Sequence, residues 1–124
     1  MTLFAGGQAH VFDIEIAETD EQQAIGLMFR TKLGRRNGML FPYPKSRVLT
    51  MWMKNTYISL DMVFIDEKGI VRRIETATEP MSEEIISSVV PVRAVLEIAA
   101  GVAKELGLKP GDRVVQASYF PSRK

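Results

Sequence analysis

The 124-residue chain contains no cysteine, which removes thiol catalysis, disulfide stapling and thiolate metal sites from consideration. Histidine is nearly absent as well. His10 is the single one, so a serine–histidine relay or a histidine-rich metal site would have to be built on it. It lies in an alternating segment near the start, the setting of a surface or strand-end histidine. No apolar run approaches the roughly 18 residues that suggest a membrane-spanning helix. Met1 to Gly7 carry neither the basic region nor the apolar stretch of a secretory leader. The expected compartment is therefore the cytoplasm, or the periplasm or exterior if a leader has been removed. A dominant charge is missing too: 16 basic and 15 acidic residues leave +1, which supplies no broad field for nucleic acid. The basic cluster Lys32, Arg35 and Arg36 sits among Gly34, Asn37 and Gly38 and reads as a solvated loop. Glycine-rich phosphate loops, zinc motifs and calcium loops are absent, and Ser59, Ser87 and Ser88 lack the Gly-x-Ser-x-Gly elbow of an activated nucleophile.

What is present is an ordinary globular composition, 46% hydrophobic and 25% charged, at a length that suits one domain spanning residues 1–124. Gln8 to Ala17 alternates apolar and polar residues and predicts a strand, with Phe12 breaking the period as a bulge would. Thr19, three positions ahead of Gln22, with early acids and apolar residues at Ala24, Ile25, Leu27 and Met28, predicts a capped helix from about Asp20 to Met28. Gly38 to Phe41 reads as a short strand ended by Pro42 and Pro44, and Arg47 to Lys54 as another strand. Leu60–Asp66 and Ile70–Ala77 flank the turn residues Asp66-Glu67-Lys68-Gly69 and predict a hairpin. Thr78 to Val90 lacks a clean period and reads as a long connection. Val92 to Ala99 is strand-like, Ala100 to Leu106 helical with Gly107 as its stop, and Arg113 to Tyr119 a last strand. Short strands joined mostly by turns, with two short helices, predict an α+β fold: a small, curled, barrel-like and mostly antiparallel sheet.

Met51-Trp52-Met53-Lys54-Asn55-Thr56 is the densest cluster of unusual residues. In a strand, Met51 and Met53 share one face and Trp52 and Lys54 the other. An indole beside an ammonium can hold a ligand by stacking plus a charged donor; the structural alternative is a core tryptophan with a lysine snorkelling along it. Asp61, shortly downstream, could accept from Lys54, Asn55, Arg30 or Arg93. A Lys54–Asp61 pair is the minimum for proton transfer and is equally what a structural ion pair looks like. Met28, Met39, Met51, Met53 and Met62 offer soft sulfur of the kind that selects Cu(I), although methionine-rich strands are commonly core.

Gly26-Leu27-Met28-Phe29-Arg30, Gly38-Met39-Leu40-Phe41, the Met51–Thr56 string, Leu60-Asp61 and Phe64-Ile65-Asp66 occur in that order. With Gly69, Ala94-Val95-Leu96-Glu97 and Pro110-Gly111-Asp112, they resemble the prokaryotic domain of unknown function 192 family over about residues 10–118. One departure is Ser59, where the family pattern has proline before Leu-Asp. The resemblance implies a small β-rich fold with short helices, no established activity, and, since many members resemble exported proteins, a place in the envelope. Its motif points to Arg30, Trp52, Lys54, Asn55, Asp61 and Glu97.

The function expected from these residues is a non-enzymatic accessory domain of the bacterial envelope. It holds a small polar or anionic ligand, or a peptide, at Arg30, Trp52, Lys54, Asn55 and Asp61, without cofactor, metal or nucleic acid. The alternatives are a small hydrolase or lyase using Asp61 and Lys54 as acid and base, and Cu(I) binding by the methionines.

Overall fold

Val92–Ala99, read from the sequence as a strand, is the spine of the molecule. The structure, a computed structural model, describes residues 1–122. In chain order the strands are β1 (Thr2–Ala5), β2 (Gln8–Val11), β3 (Asp13–Ile16), β4 (Asn37–Arg47), β5 (Thr50–Met51), β6 (Leu60–Ile65), β7 (Val71–Glu75), β8 (Ile86–Ser87), β9 (Val92–Ala99) and β10 (Arg113–Val115). Two short helices, α1 (Asp20–Ile25) and α2 (Val102–Leu106), complete the fold. The main sheet has the order β3-β4-β9-β6-β7; β10-β1-β2 and β5-β8 form two smaller ones.

β9 pairs antiparallel with β4 on one side and β6 on the other, which explains its near-continuous apolar sequence: both of its faces are covered. Ala94, Leu96 and Ile98 join Leu40, Val63 and Ile65 in a core closed by Leu3, Ala5 and Val114 of the three-stranded sheet and by Val102, Ala103 and Leu106 of α2. Val95 faces the other way, into a second core with Met39, Phe41, Met62, Phe64, Leu27, Leu49 and Met53. Full burial of each such side chain contributes about 1.5–3 kcal/mol. The main sheet is thus a middle layer with a core on each face.

The α+β class, the mostly antiparallel pairing and the two short helices follow the sequence expectation. None of the three sheets closes into a barrel, and β3 lies parallel to β4. The break at Phe12 is more than a bulge: there the chain leaves the three-stranded sheet and enters the main one, with the Phe12 ring buried in the first core. The strand predicted to stop at Pro42 runs on to Arg47. Leu40 turns its carbonyl to β3, accepting from Ala17 N–H at 2.9 Å, so by alternation Pro42 faces the same side. There β3 has already ended, and the missing N–H of Pro42 costs no ladder bond. Its carbonyl accepts from Gln23 Nε2 at 2.8 Å instead. Helix α1 has the expected capping box, with Gln22 N–H donating to Thr19 Oγ1 at 3.0 Å and Gln22 Oε1 accepting from Thr19 N–H at 3.1 Å, but it ends at Ile25 rather than Met28. The Leu60–Ala77 hairpin forms as β6 and β7.

Asp61, on β6, is fully enclosed. Its Oδ1 accepts from Ala77 N–H at 2.8 Å, and its Oδ2 from Gly101 N–H at 3.1 Å and Ala103 N–H at 3.0 Å. Gly101 begins α2 and has no side chain to cap it; the carboxylate does so from a neighbouring strand. An amide in its place presents only one oxygen and sets its N–H2 against backbone donors. Asp61→Asn is expected to lower the unfolding free energy by about 2–4 kcal/mol, measured by urea denaturation; a change below about 0.5 kcal/mol would contradict this capping role.

Candidate functional site

The segment after β5 does not continue as a strand. Met53 is 1% exposed and anchors it in the second core, where its Sδ accepts from the Thr78 hydroxyl at 3.2 Å. Asn55 adopts φ 55°, a left-handed conformation that asparagine tolerates better than most residues. The turn is closed by Thr56 N–H donating to the Met53 carbonyl at 3.1 Å and by the Thr56 hydroxyl donating to the Lys54 carbonyl at 3.1 Å. Trp52 and Lys54, flanking the anchor, emerge together: Lys54 Nζ lies 5.2 Å from the Trp52 ring centroid, within cation–π reach.

Opposite stands the end of α1. Gln23 ties it to the sheet by donating to the Ala17 carbonyl at 3.0 Å and the Pro42 carbonyl at 2.8 Å. Gly26 ends the helix with φ 50°, and a Cβ there would lie 3.1 Å from Phe41 Cζ, so the close approach as well as the backbone angle calls for glycine. Between these two segments lies a hollow of about 130 Å³. Its walls include Ile25, Leu27, Met28, Met51 and Trp52, with Phe41 and Tyr43 of β4 and Glu97 of β9 behind them; Lys54, Thr50 and Thr56 complete the rim.

Glu97 is the singular group here. It is 5% exposed, and burial alone pushes its carboxyl up to about 8, with no charge or hydrogen bond drawing it back. No fully enclosed side-chain oxygen or nitrogen among the described residues lacks a hydrogen-bond partner. An unpartnered Glu97 carboxyl must therefore open to the hollow. Tyr43, half-buried on the same wall, has its phenol raised by burial, lowered by Arg47 and raised by Glu97. Lys54 forms no ion pair within 4.0 Å among the described residues. The hollow is thus lined by an enclosed carboxyl and by a lysine, neither of them in an ion pair among the described residues.

Of the residues singled out in the sequence, Trp52 and Lys54 meet in this hollow. Arg30 does not; both of its terminal nitrogens donate to Glu15, one at 2.8 Å, on an exposed surface. Asn55 contributes its backbone turn, its carbonyl accepting from Phe29 N–H at 2.9 Å. Asp61 is fully enclosed, accepts three backbone N–H groups, and forms no ion pair with Lys54, the partnership considered above. Met28 and Met51 line the hollow, while Met39, Met53 and Met62 are packed in the second core. Glu97 stood in the sequence only as a motif position. The physical signal was there: it is the one carboxylate in the run Val92–Ala99, whose other residues are apolar except Arg93.

Residues 1–116 match the model of the domain of unknown function 192 family, described as an uncharacterised ACR. A Sinorhizobium meliloti 1021 protein described as a candidate transcription regulator is 44% identical, covering 94% of this chain and 91% of its own, with a TM-score of 0.91. A protein of unknown function from Novosphingobium aromaticivorans DSM 12444 is 42% identical, covering 93% of this chain and 82% of its own, with a TM-score of 0.89. No curated protein matches the chain.

The folded chain keeps a proton on Glu97 that the unfolded chain releases near the ordinary value of 4.5. Stability from this group is therefore fully present below about pH 4.5, falls as pH rises, and levels off above about 8. Glu97→Gln, which stays neutral, is expected to be more stable than the parent at pH 8.5, by on the order of 2–4 kcal/mol, and nearly equal to it at pH 4. Urea denaturation of both proteins across that range checks this; parallel pH profiles would contradict a buried neutral acid.

Proposed function

We propose, for a chain that belongs to the domain of unknown function 192 family, the role of a non-enzymatic domain that takes a small polar ligand, or one side chain of a peptide, into the hollow between α1 and residues 50–56. The observation that carries this reading is Glu97: a carboxyl 5% exposed, without a hydrogen-bond partner among the described residues, opening into a space whose mouth bears the only tryptophan and a lysine that has no ion pair among those residues. A carboxyl so largely enclosed is poorly solvated, and a ligand that hydrogen-bonds to it offsets that loss.

Size narrows the occupant. The hollow of about 130 Å³ compares with an apolar cavity of about 150 Å³ that accepts benzene, and lies below the roughly 300–1,000 Å³ of pockets for drug-sized molecules. It suits about six to eight non-hydrogen atoms. Ile25 and Trp52 at its edge are 52% and 42% exposed, and Phe29 and Tyr57, adjoining Met28 and Thr56 in sequence, meet edge-on with ring centroids 6.1 Å apart. This exposed apolar surface favours a ligand that continues beyond the hollow, as a peptide does. The absence of an activated nucleophile from the sequence and the complete enclosure of Asp61 favour binding over hydrolysis. The description of the Sinorhizobium protein as a regulator gains little from this chain, whose +1 charge and helices of six and five residues suit a small-ligand site better than a DNA groove.

Because Trp52 is the only tryptophan, its emission is a direct readout. Titration with a fragment library is expected to shift Trp52 fluorescence saturably, and to move amide resonances of Gln23–Met28, Thr50–Thr56 and Glu97 together. Trp52→Ala is expected to weaken a bound fragment by about tenfold, roughly 1.4 kcal/mol, with little loss of stability. A library that leaves these resonances still, or binds equally to Trp52→Ala, would overturn the reading.

A further inference from the structure

We infer that the ligand class of this hollow is a small zwitterion, an amino acid or short amino-alkanoate whose ammonium meets Glu97 and whose carboxylate meets Lys54. The inference rests on the binding role proposed above and goes beyond it by naming the chemistry. A carboxyl and an ammonium line one hollow of about 130 Å³, and neither has an ion-pair partner among the described residues; the carboxyl is protonated while the hollow is empty, and an incoming ammonium favours its ionised form, the proton passing to solvent. They differ in depth. Glu97 is almost wholly enclosed on the central strand, whereas Lys54 is half-buried at the rim and leans on the Trp52 ring. A ligand entering ammonium-first therefore meets apolar and aromatic walls, then the carboxyl, and leaves its own carboxylate near Lys54.

Ligands with one charge fit less well. A simple amine pairs with Glu97 but sets a second cation inside a mouth that already holds Lys54. A simple carboxylate pairs with Lys54 but leaves the protonated Glu97 carboxyl without a hydrogen-bond partner from the ligand in a poorly solvated site. A molecule with both charges satisfies both ends and adds no net charge to the cleft. Thr50 and Thr56 on the rim and Tyr43 beside Glu97 supply further hydrogen-bonding groups for its two ends. The size of the hollow favours molecules such as glycine, L-alanine, β-alanine and 4-aminobutyrate. The distance between their charges is the variable that selects among them.

The test is a titration of the full chain, by calorimetry and by Trp52 emission, with those four zwitterions and with propylamine and propionate. At least one zwitterion is expected to bind tenfold or more tightly than either singly charged probe. Lys54→Met is expected to reduce that zwitterion's affinity about tenfold and leave propylamine unchanged or tighter. Glu97→Gln is expected to reduce it to a similar extent and leave propionate little changed. Both replacements are close in volume to the originals, and circular dichroism confirms that each variant folds. Propylamine or propionate binding as tightly as every zwitterion overturns the inference while the binding role stands. Silence with all six probes also overturns it, and the fragment titration then decides separately whether the hollow binds at all.

Discussion

A strand buried on both faces must send alternate side chains into two different interiors, and β9 is that strand here. Ala94, Leu96 and Ile98 fill the core beneath the three-stranded sheet, while Val95 enters the core beneath α1 and the β5–β8 ribbon. Position 97 shares the face of Val95 by simple alternation. Whatever stands there is enclosed by β4 and β6 on either side, its Cα partners being Met39 and Met62. A glutamate at such a position has no route to bulk water along the sheet. The hollow it lines lies between the end of α1 and the 50–56 turn, so the hollow and the buried acid are consequences of the same packing.

The two enclosed carboxylates of this fold show how differently such a burden can be met. Asp61 receives three backbone N–H groups and in return caps α2; its charge is spread over donors that also needed an acceptor. Glu97 receives none. Replacing buried polar groups by apolar ones of similar shape is often neutral or stabilising, so a fold indifferent to function would gain from losing the Glu97 carboxyl and lose from losing that of Asp61. That asymmetry separates a carboxylate that serves the architecture from one that does not, and it is the ground on which the proposed site is centred on Glu97.

The sequence conveyed the elements whose signals are local. The capping box at Thr19 and Gln22, the Asp66–Gly69 reversal, the bounds of Val92–Ala99 and the stop at Gly107 all depend on a few adjacent residues, and all appear as read. Features set by distant neighbours were not legible. Whether the Phe12 irregularity is a bulge or a change of sheet depends on what lies beside it. A proline ends a strand only where its N–H would have been used, and Pro42 sits where β3 has already stopped. For the site, Trp52 and Lys54 were found by residue type, but on the premise of strand alternation. What brings them together is the Met53 anchor and the left-handed turn at Asn55. Arg30 and Asp61 share the motif with them but are engaged elsewhere, by Glu15 and by backbone N–H groups, because proximity in a motif says nothing about partners contributed by β3, by the turn after β7 or by the start of α2.

The mouth of the hollow also carries backbone strain. Phe29 and Asn55 both have positive φ, 67° and 55°, and are joined by the hydrogen bond from Phe29 N–H to the Asn55 carbonyl. Asparagine is at home in that region, but a bulky residue held there costs on the order of 1–3 kcal/mol. Glycine at position 29 would relieve the strain and keep the backbone hydrogen bond. The phenylalanine that stands there instead is 59% exposed and lies against Tyr57, so its ring adds little to either core. A side chain that strains the backbone and contributes little to packing is best accounted for by the surface it makes. That surface adjoins Met28 and Thr56 on the wall of the hollow, where a ligand longer than the cavity would next make contact.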